Sequence, residues 1–168
     1  DATDTYIVSV SSPTITTTGT LNAFSTCEGT ASAVQTFTVS ATYLFANLVV
    51  TAPTGYEVNK PSGTYGATQT LAPASGTVAN TTISVRLKAS NTVASGNTST
   101  PSGNVACTST DATTKNVAAS GTVYNTPTVS AAGSDIEQCA NSSFTLAGNA
   151  ASVGSGAWTV ASGTATIT

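Results

Sequence analysis

The chain's 168 residues are enough for one domain and part of another, and 39% hydrophobic content sets it apart from weakly hydrophobic, highly charged disordered chains. Only 7% of residues are charged and the net charge is −3, so no basic face exists to neutralise nucleic-acid phosphates and no basic cluster to hold anionic lipid. No His is present, which removes Ser-His-Asp and Cys-His catalysis, and no apolar run approaches the ~20 residues of a membrane-spanning helix.

In chain order, residues 1–12 (DATDTYIVSVSS) read as a tail or interdomain strand. Strand signals of period two then follow one another. In 34–41, Phe37, Val39 and Ala41 share one face, with Thr36, Thr38 and Ser40 on the other. The burst LFANLVV (44–50) predicts a strand over 47–52, with Leu48, Val50 and Ala52 facing a core. In 55–59 Tyr56 and Val58 oppose Glu57 and Asn59. The clearest alternation is 81–90: Ile83, Val85, Leu87 and Ala89 on one side, Ser84, Arg86 and Lys88 on the other. Val105 aligns with Cys107, and Val117 with Ala119 and Val123. Turn formers punctuate these runs at Pro53–Gly55, Pro61–Gly63, Pro73–Gly76, Ser95–Asn97 and Pro101–Gly103. Many short strands with regular turns describe an all-β sandwich.

An internal echo divides the chain. SSPTITTTG (11–19) and NTPTVSAAG (125–133) share a Pro-Thr-β-branched step and a following Gly. The spacing from Pro13 to Pro127 is about one Ig-sized sandwich. The expected organisation is therefore a first module over 13–124 and a partial second module over 125–168, with strands near 127–131, 143–147, 156–161 and 164–168. So short a second module cannot complete a seven-stranded sandwich, which makes the chain read as part of a longer array. Trp158, alternating with Val160, reads as a core residue of that module.

The chemistry-bearing residues are sparse. Lys60, Lys88 and Lys115 are the only candidate amine bases, and the acids (Asp1, Asp4, Glu28, Glu57, Asp111, Asp135, Glu137) are scattered rather than paired as glycosidases require. They read as solvated surface charge, and no enzyme is expected. Calcium is the one cofactor the oxygen-rich stretches near Asp111 and Asp135–Glu137 bring up, but one or two acids per loop fall short of the several carboxylates it takes. Arg86, the lone Arg, should face outward and pair with Glu57 or a carbonyl, worth under ~1 kcal/mol. Tyr43, Tyr56 and Tyr65 would mark a sugar-binding platform if they gathered in a groove. Cys27, Cys107 and Cys139 make an odd count without close pairs, which disfavours zinc.

The stretches FSTCEGTASAVQTFTVSATYLFANLVVTAPTGYEVN, LAPASGTV, ISVRLKA, PSGNVACTS and NVAASGTV together resemble an Ig-like repeat of very large Bacteroidetes surface proteins, over about 13–124. AAGSDIEQCANSSFTLAGNAASVGSGAWTVASGTATI resembles the opening half of a PKD-like repeat of the same proteins, which include SprB-type gliding adhesins exported by type IX secretion. The resemblance implies a non-enzymatic segment of an extracellular, cell-surface filament or adhesin. Its implied partners are neighbouring repeats of the same chain and surface glycans or other surfaces. It also implies a Cys27–Cys107 disulfide, with Cys139 unpaired inside these residues. Two rival readings are a carbohydrate-binding accessory module and a fibre subunit that donates TYIVSV (5–10) as a strand to its neighbour.

Overall fold

The computed structural model describes residues 11–94, 97–134, 145–151, 153 and 155–162. Ten strands lie within residues 14–124: β1 Thr14–Thr18, β2 Phe24–Cys27, β3 Gln35–Thr42, β4 Leu48–Thr51, β5 Tyr56–Asn59, β6 Thr68–Leu71, β7 Val78–Leu87, β8 Thr98–Ser99, β9 Ser102–Thr108 and β10 Lys115–Tyr124. The described residues contain no helix, and so none long and apolar enough to cross a membrane. The strands form two sheets, β1-β3-β7-β5 and β2-β10-β9-β4-β6, with β8 pairing beside β9 on β10. The protein is an all-β sandwich.

The period-two pattern places the core as expected. Phe37, Val39 and Ala41 from β3, Ile83, Val85 and Leu87 from β7, and Tyr56 and Val58 from β5 bury one face of the first sheet. Leu48 and Val50 from β4, Val105 and Cys107 from β9, and Val117, Ala119 and Val123 from β10 bury the facing side of the second. Val78 is also buried, although it lies an odd number of residues before Ile83. The register explains it: Val39 pairs Thr81 but Ala41 pairs Val78, so β7 carries one extra residue there. A bulge of that kind reverses the phase of a strand and returns its next side chain to the core.

Because Val85 is fully buried and Arg86 points outward, Val85→Ala should destabilise the sandwich by ~1–3 kcal/mol, the sum of lost transfer energy and a residual cavity. Arg86→Ala should cost about 1 kcal/mol or less. Urea denaturation of the two variants checks this, and equal effects would contradict the register.

Two turns depend on backbone that glycine supplies. Tyr56 N–H closes the Pro53–Tyr56 turn onto the Pro53 carbonyl (3.0 Å), with Gly55 at φ 88°, the conformation type II turns need at that position. A Cβ on Gly55 would fall 2.8 Å from Pro101 Cβ. Ala74 and Thr77 exchange both backbone hydrogen bonds around Ser75 (φ 49°) and Gly76 (φ 77°), which is the two-residue type I′ hairpin.

Several expectations need correction. β7 ends at Leu87, and Ala89 is exposed, because Lys88 N–H turns to the Gly55 carbonyl (3.1 Å) and Asn91 N–H closes a turn on Lys88. Ser102 and Gly103 open β9 rather than a turn. There Pro101, which has no N–H to give a ladder, separates β8 from β9, and its carbonyl accepts both Gly121 N–H (3.0 Å) and Tyr56 O–H (3.0 Å).

Of the four strands expected after residue 125, those near 143–147 and 164–168 lie wholly or partly outside the described residues. The described residues beyond Tyr124 carry no strand. Residues 128–131 and 149–150 are tied instead by single bonds: Asn149 N–H to the Ala131 carbonyl (3.1 Å), Ala131 N–H to Asn149 Oδ1 (2.7 Å) and Asn149 Nδ2 to the Val129 carbonyl (2.9 Å). Trp158 rests on Gly148 and is 42% exposed, and Val129 is 89% exposed. Trp158 is therefore not a core residue among the described residues. Isolated strand pairs without a buried apolar face are marginal in water, and among the described residues beyond Tyr124 no side chain belongs to the buried core.

Chain direction positions everything that follows. β1 begins beside the last residue of β3 (Thr14 opposite Thr42), while β10 finishes beside Cys27 (Tyr124 opposite Cys27). β10 starts from the same end as Thr42, since the turn before it reaches back to the β3–β4 loop through Ser109 Oγ and the Ala46 carbonyl (3.2 Å). The polypeptide thus comes in at one end of the sandwich, here the leading end, and leaves at the opposite, trailing end.

Candidate functional site

At the leading end, three connections meet. The β3–β4 loop (43–47) is pinned by Leu44, whose side chain plugs the core and whose N–H donates to the Gly76 carbonyl (2.8 Å). The 74–77 hairpin supplies that carbonyl, and the turn after β9 supplies Ser109. With Leu44 turned inward, its neighbours are turned out: Tyr43 is 56% exposed and Phe45 82%. Tyr43 holds φ 58°, and Ser75 and Asp111 in the adjoining turns also have positive φ. For a bulky residue this conformation is rare and costs energy. Two aromatic rings on a pinned loop offer flat apolar faces for stacking on a sugar ring or on another protein surface.

The second cluster lies on the outer face of the first sheet. Glu57 on β5 pairs with Arg86 on β7 in register, and Arg86 Nε donates to Glu57 Oε1 at 2.7 Å. The guanidinium also lies over the Tyr65 ring, 3.7 Å from its centroid. Opposite charges that both alternate outward from their strands made the ion pair legible. The Tyr65 contact was not, because the β5–β6 connection folds back through long-range contacts: Val58 bridges Gly66, and Gln69 Nε2 donates to the Val58 and Thr64 carbonyls (3.0 and 2.8 Å). This cluster is a latch on the loop that crosses between the sheets, with the stacked cation adding to the pair.

The tyrosines do not gather. Tyr56 is in the core, its ring edge against Phe24 (5.5 Å between centroids), Tyr65 covers Arg86, and Tyr43 stands on the leading-end loop. Nor do the described acids converge. Asp111 is in the turn before β10, Glu57 is held by Arg86, and Glu28 follows β2 at the trailing end, where its carboxylate accepts from Val93 N–H (3.4 Å). Lys60 donates to the Thr70 carbonyl (2.6 Å), Lys88 is half-exposed and Lys115 exposed. Among the described residues no three metal-ligating side chains cluster; Asp1, Asp4, Asp135 and Glu137 lie outside the described residues.

The cysteines correct an expectation. Cys27 is an exposed free thiol and Cys107 a buried one. Both strands flank β10, but Cys27 sits opposite Tyr124 and Cys107 opposite Lys115. That length of strand is ~30 Å at the usual rise per residue, against the ~7 Å limit between Cα atoms of a disulfide. The Cys27–Cys107 bond is therefore not formed. Cys107 does point inward with Val105, as the alternation implied, and burial pushes its thiol up to about 11. Cys139 lies outside the described residues. At neutral pH an alkylating reagent should modify Cys27 in the folded chain without reductant and leave Cys107 untouched until the sandwich unfolds, since the thiolate is the reactive form. Peptide mass mapping distinguishes the two sites, and protection of Cys27 would overturn the assignment.

No family model, no curated protein and no solved structure matches this chain.

Proposed function

We propose that the chain is a non-enzymatic segment of a cell-surface filament or adhesin, exported and built from stacked sandwiches, with neighbouring modules of its own polypeptide as its first partners. The observation that carries this reading is that the chain enters the sandwich at Thr14 and leaves it at Tyr124 on opposite ends. Modules joined in this way extend as a line rather than fold back. The surface supports it: the outer face of β1 and β3 presents Thr14, Thr16, Thr18, Thr36, Thr38, Ser40 and Thr42 without a charge. The Tyr43–Phe45 loop is the contact element this reading assigns to a glycan, another surface or an adjoining module. The Ig-like assignment draws support from strand neighbours, since β1-β3-β7-β5 facing β10-β9-β4 repeats the ABED and GFC partition of that sandwich. It departs from it as well: β2 and β8 are additional strands on β10, and the chain visits β5 before β6, where an Ig variable-type chain visits the CFG-sheet strand first. Calcium is not assigned a role.

The test is surface labelling. Antibodies raised against residues 13–124 should decorate intact producing cells in elongated structures, and protease shaving should remove the signal. Labelling only after lysis would sink the proposal, and turnover of glycans or peptides by the purified chain would sink its non-enzymatic part.

A further inference from the structure

We infer that the parallel ladder between β2 and β10 is a mechanical clamp that resists tension applied along the chain; this rests on the proposed role as a link in a surface filament. Among the described residues every other ladder is antiparallel, and β2–β10 alone is parallel. Its register runs Gly121–Phe24, Thr122–Ser25, Val123–Thr26 and Tyr124–Cys27, and it is prolonged by Glu28 N–H donating to the Tyr124 carbonyl at 2.8 Å. In chain order β2 is the second strand after the chain enters at the leading end, and β10 is the last before it leaves at the trailing end. Tension between the two ends pulls β1 and then β2 toward the leading end and β10 toward the trailing end.

The pairing hydrogen bonds lie across the strands, so opposite pulls on two parallel strands load the ladder in shear. The bonds must yield together. A pull at one end of a hairpin opens the same number of bonds one after another at lower force. The ladder is also backed by packing: Phe24 and Val123 are buried, and Gly121 lets Leu87 and Phe24 close against the backbone, since a Cβ there would fall 3.0 Å from both. Water therefore reaches the inner side of these bonds only after the strands have moved. The second sheet's edge strand β2, four residues long and with no second strand neighbour among the described residues, thus has a role that burial alone does not give it.

The experiment is single-molecule force spectroscopy on the full chain. Tethered through its two termini, the sandwich should give a distinct high-force unfolding peak. With one handle at the N-terminus and the other inserted after Thr113, at the leading end, the same fold should open at clearly lower force. Glu28→Pro removes the N–H that bonds Tyr124 while occupying the second position of the Cys27–Thr30 turn, closed by Thr30 N–H to the Cys27 carbonyl (3.1 Å) with Gly29 at φ 81°, where proline is favoured. It should lower the peak with the thermal midpoint little changed. Thr26→Pro, whose N–H points the same way as that of Glu28 two residues on, should lower it further. Ser25→Pro, whose N–H faces away from β10, should leave the peak in place. Equal forces along the two axes, or an unchanged peak in both Glu28→Pro and Thr26→Pro, would overturn the clamp. Surface labelling decides the functional reading independently, because the force anisotropy is a property of the fold alone.

Discussion

Phe37→Ala should cost the sandwich ~3–5 kcal/mol, the usual range for removing a buried aromatic side chain. Phe37 heads the fully buried side chains by volume, at 2% exposure, and sits on the β3 strand that joins β1 to β7. Its neighbours on the same face, Val39 and Ala41, are locked in two ladders, so the cavity cannot close by a shift of one strand. Against total stabilities of ~5–15 kcal/mol for domains of this kind, the loss leaves the variant near its unfolding threshold. Thr38→Ala, one residue along and facing outward, should change stability by ~0.5 kcal/mol or less. Chemical denaturation reads both, and a small effect at Phe37 would mean that the core relaxes around it.

The second large effect is a loss of stability in alkali. Burial pushes the Cys107 thiol from its ordinary value of 9.0 up to about 11, and the Tyr56 hydroxyl from 10.0 up to about 12. The Tyr56 hydroxyl also donates to the Pro101 carbonyl. Both groups hold their protons in the folded chain to higher pH than in the unfolded one. Their contribution is therefore complete below about 9 and is lost as pH rises through about 11 for Cys107 and about 12 for Tyr56. A shift of this size corresponds to the order of 2 kcal/mol for each group. Urea midpoints measured across that range should fall steeply in the native chain. Cys107→Ala should remove the lower-pH part of the fall, and an unaltered profile in that variant would exclude the thiol as its source.

The alternation of side chains determined more than fold class. Phe37, Val39 and Ala41, or Ile83, Val85 and Leu87, declare a buried face because a strand repeats every two residues, and nothing distant is needed to read it. The outward pair Glu57–Arg86 was legible for the same reason: both residues alternate out of strands whose inward neighbours are apolar. Proline and glycine marked the turns at Pro53–Gly55 and Pro73–Gly76, since backbone preference is local.

Which strands pair, and in what register, was beyond that signal. Period two says which way a side chain points and is silent on its neighbour. That β1 and β2 join different sheets, that β5 and β6 do likewise, and that a bulge returns Val78 to the core follow from the burial that the whole sandwich achieves. The leading-end site shows the same limit. LFANLVV reads as one apolar burst, yet Leu44 plugs the core while Phe45 stands in solvent, because the loop is fixed by carbonyls from Gly76 and by Ser109, which lie far along the chain. Cys27 and Cys107 were joined by resemblance and separated by register: their places on the two sides of β10 set the distance, and only the tertiary structure assigns a cysteine its place along a neighbouring strand.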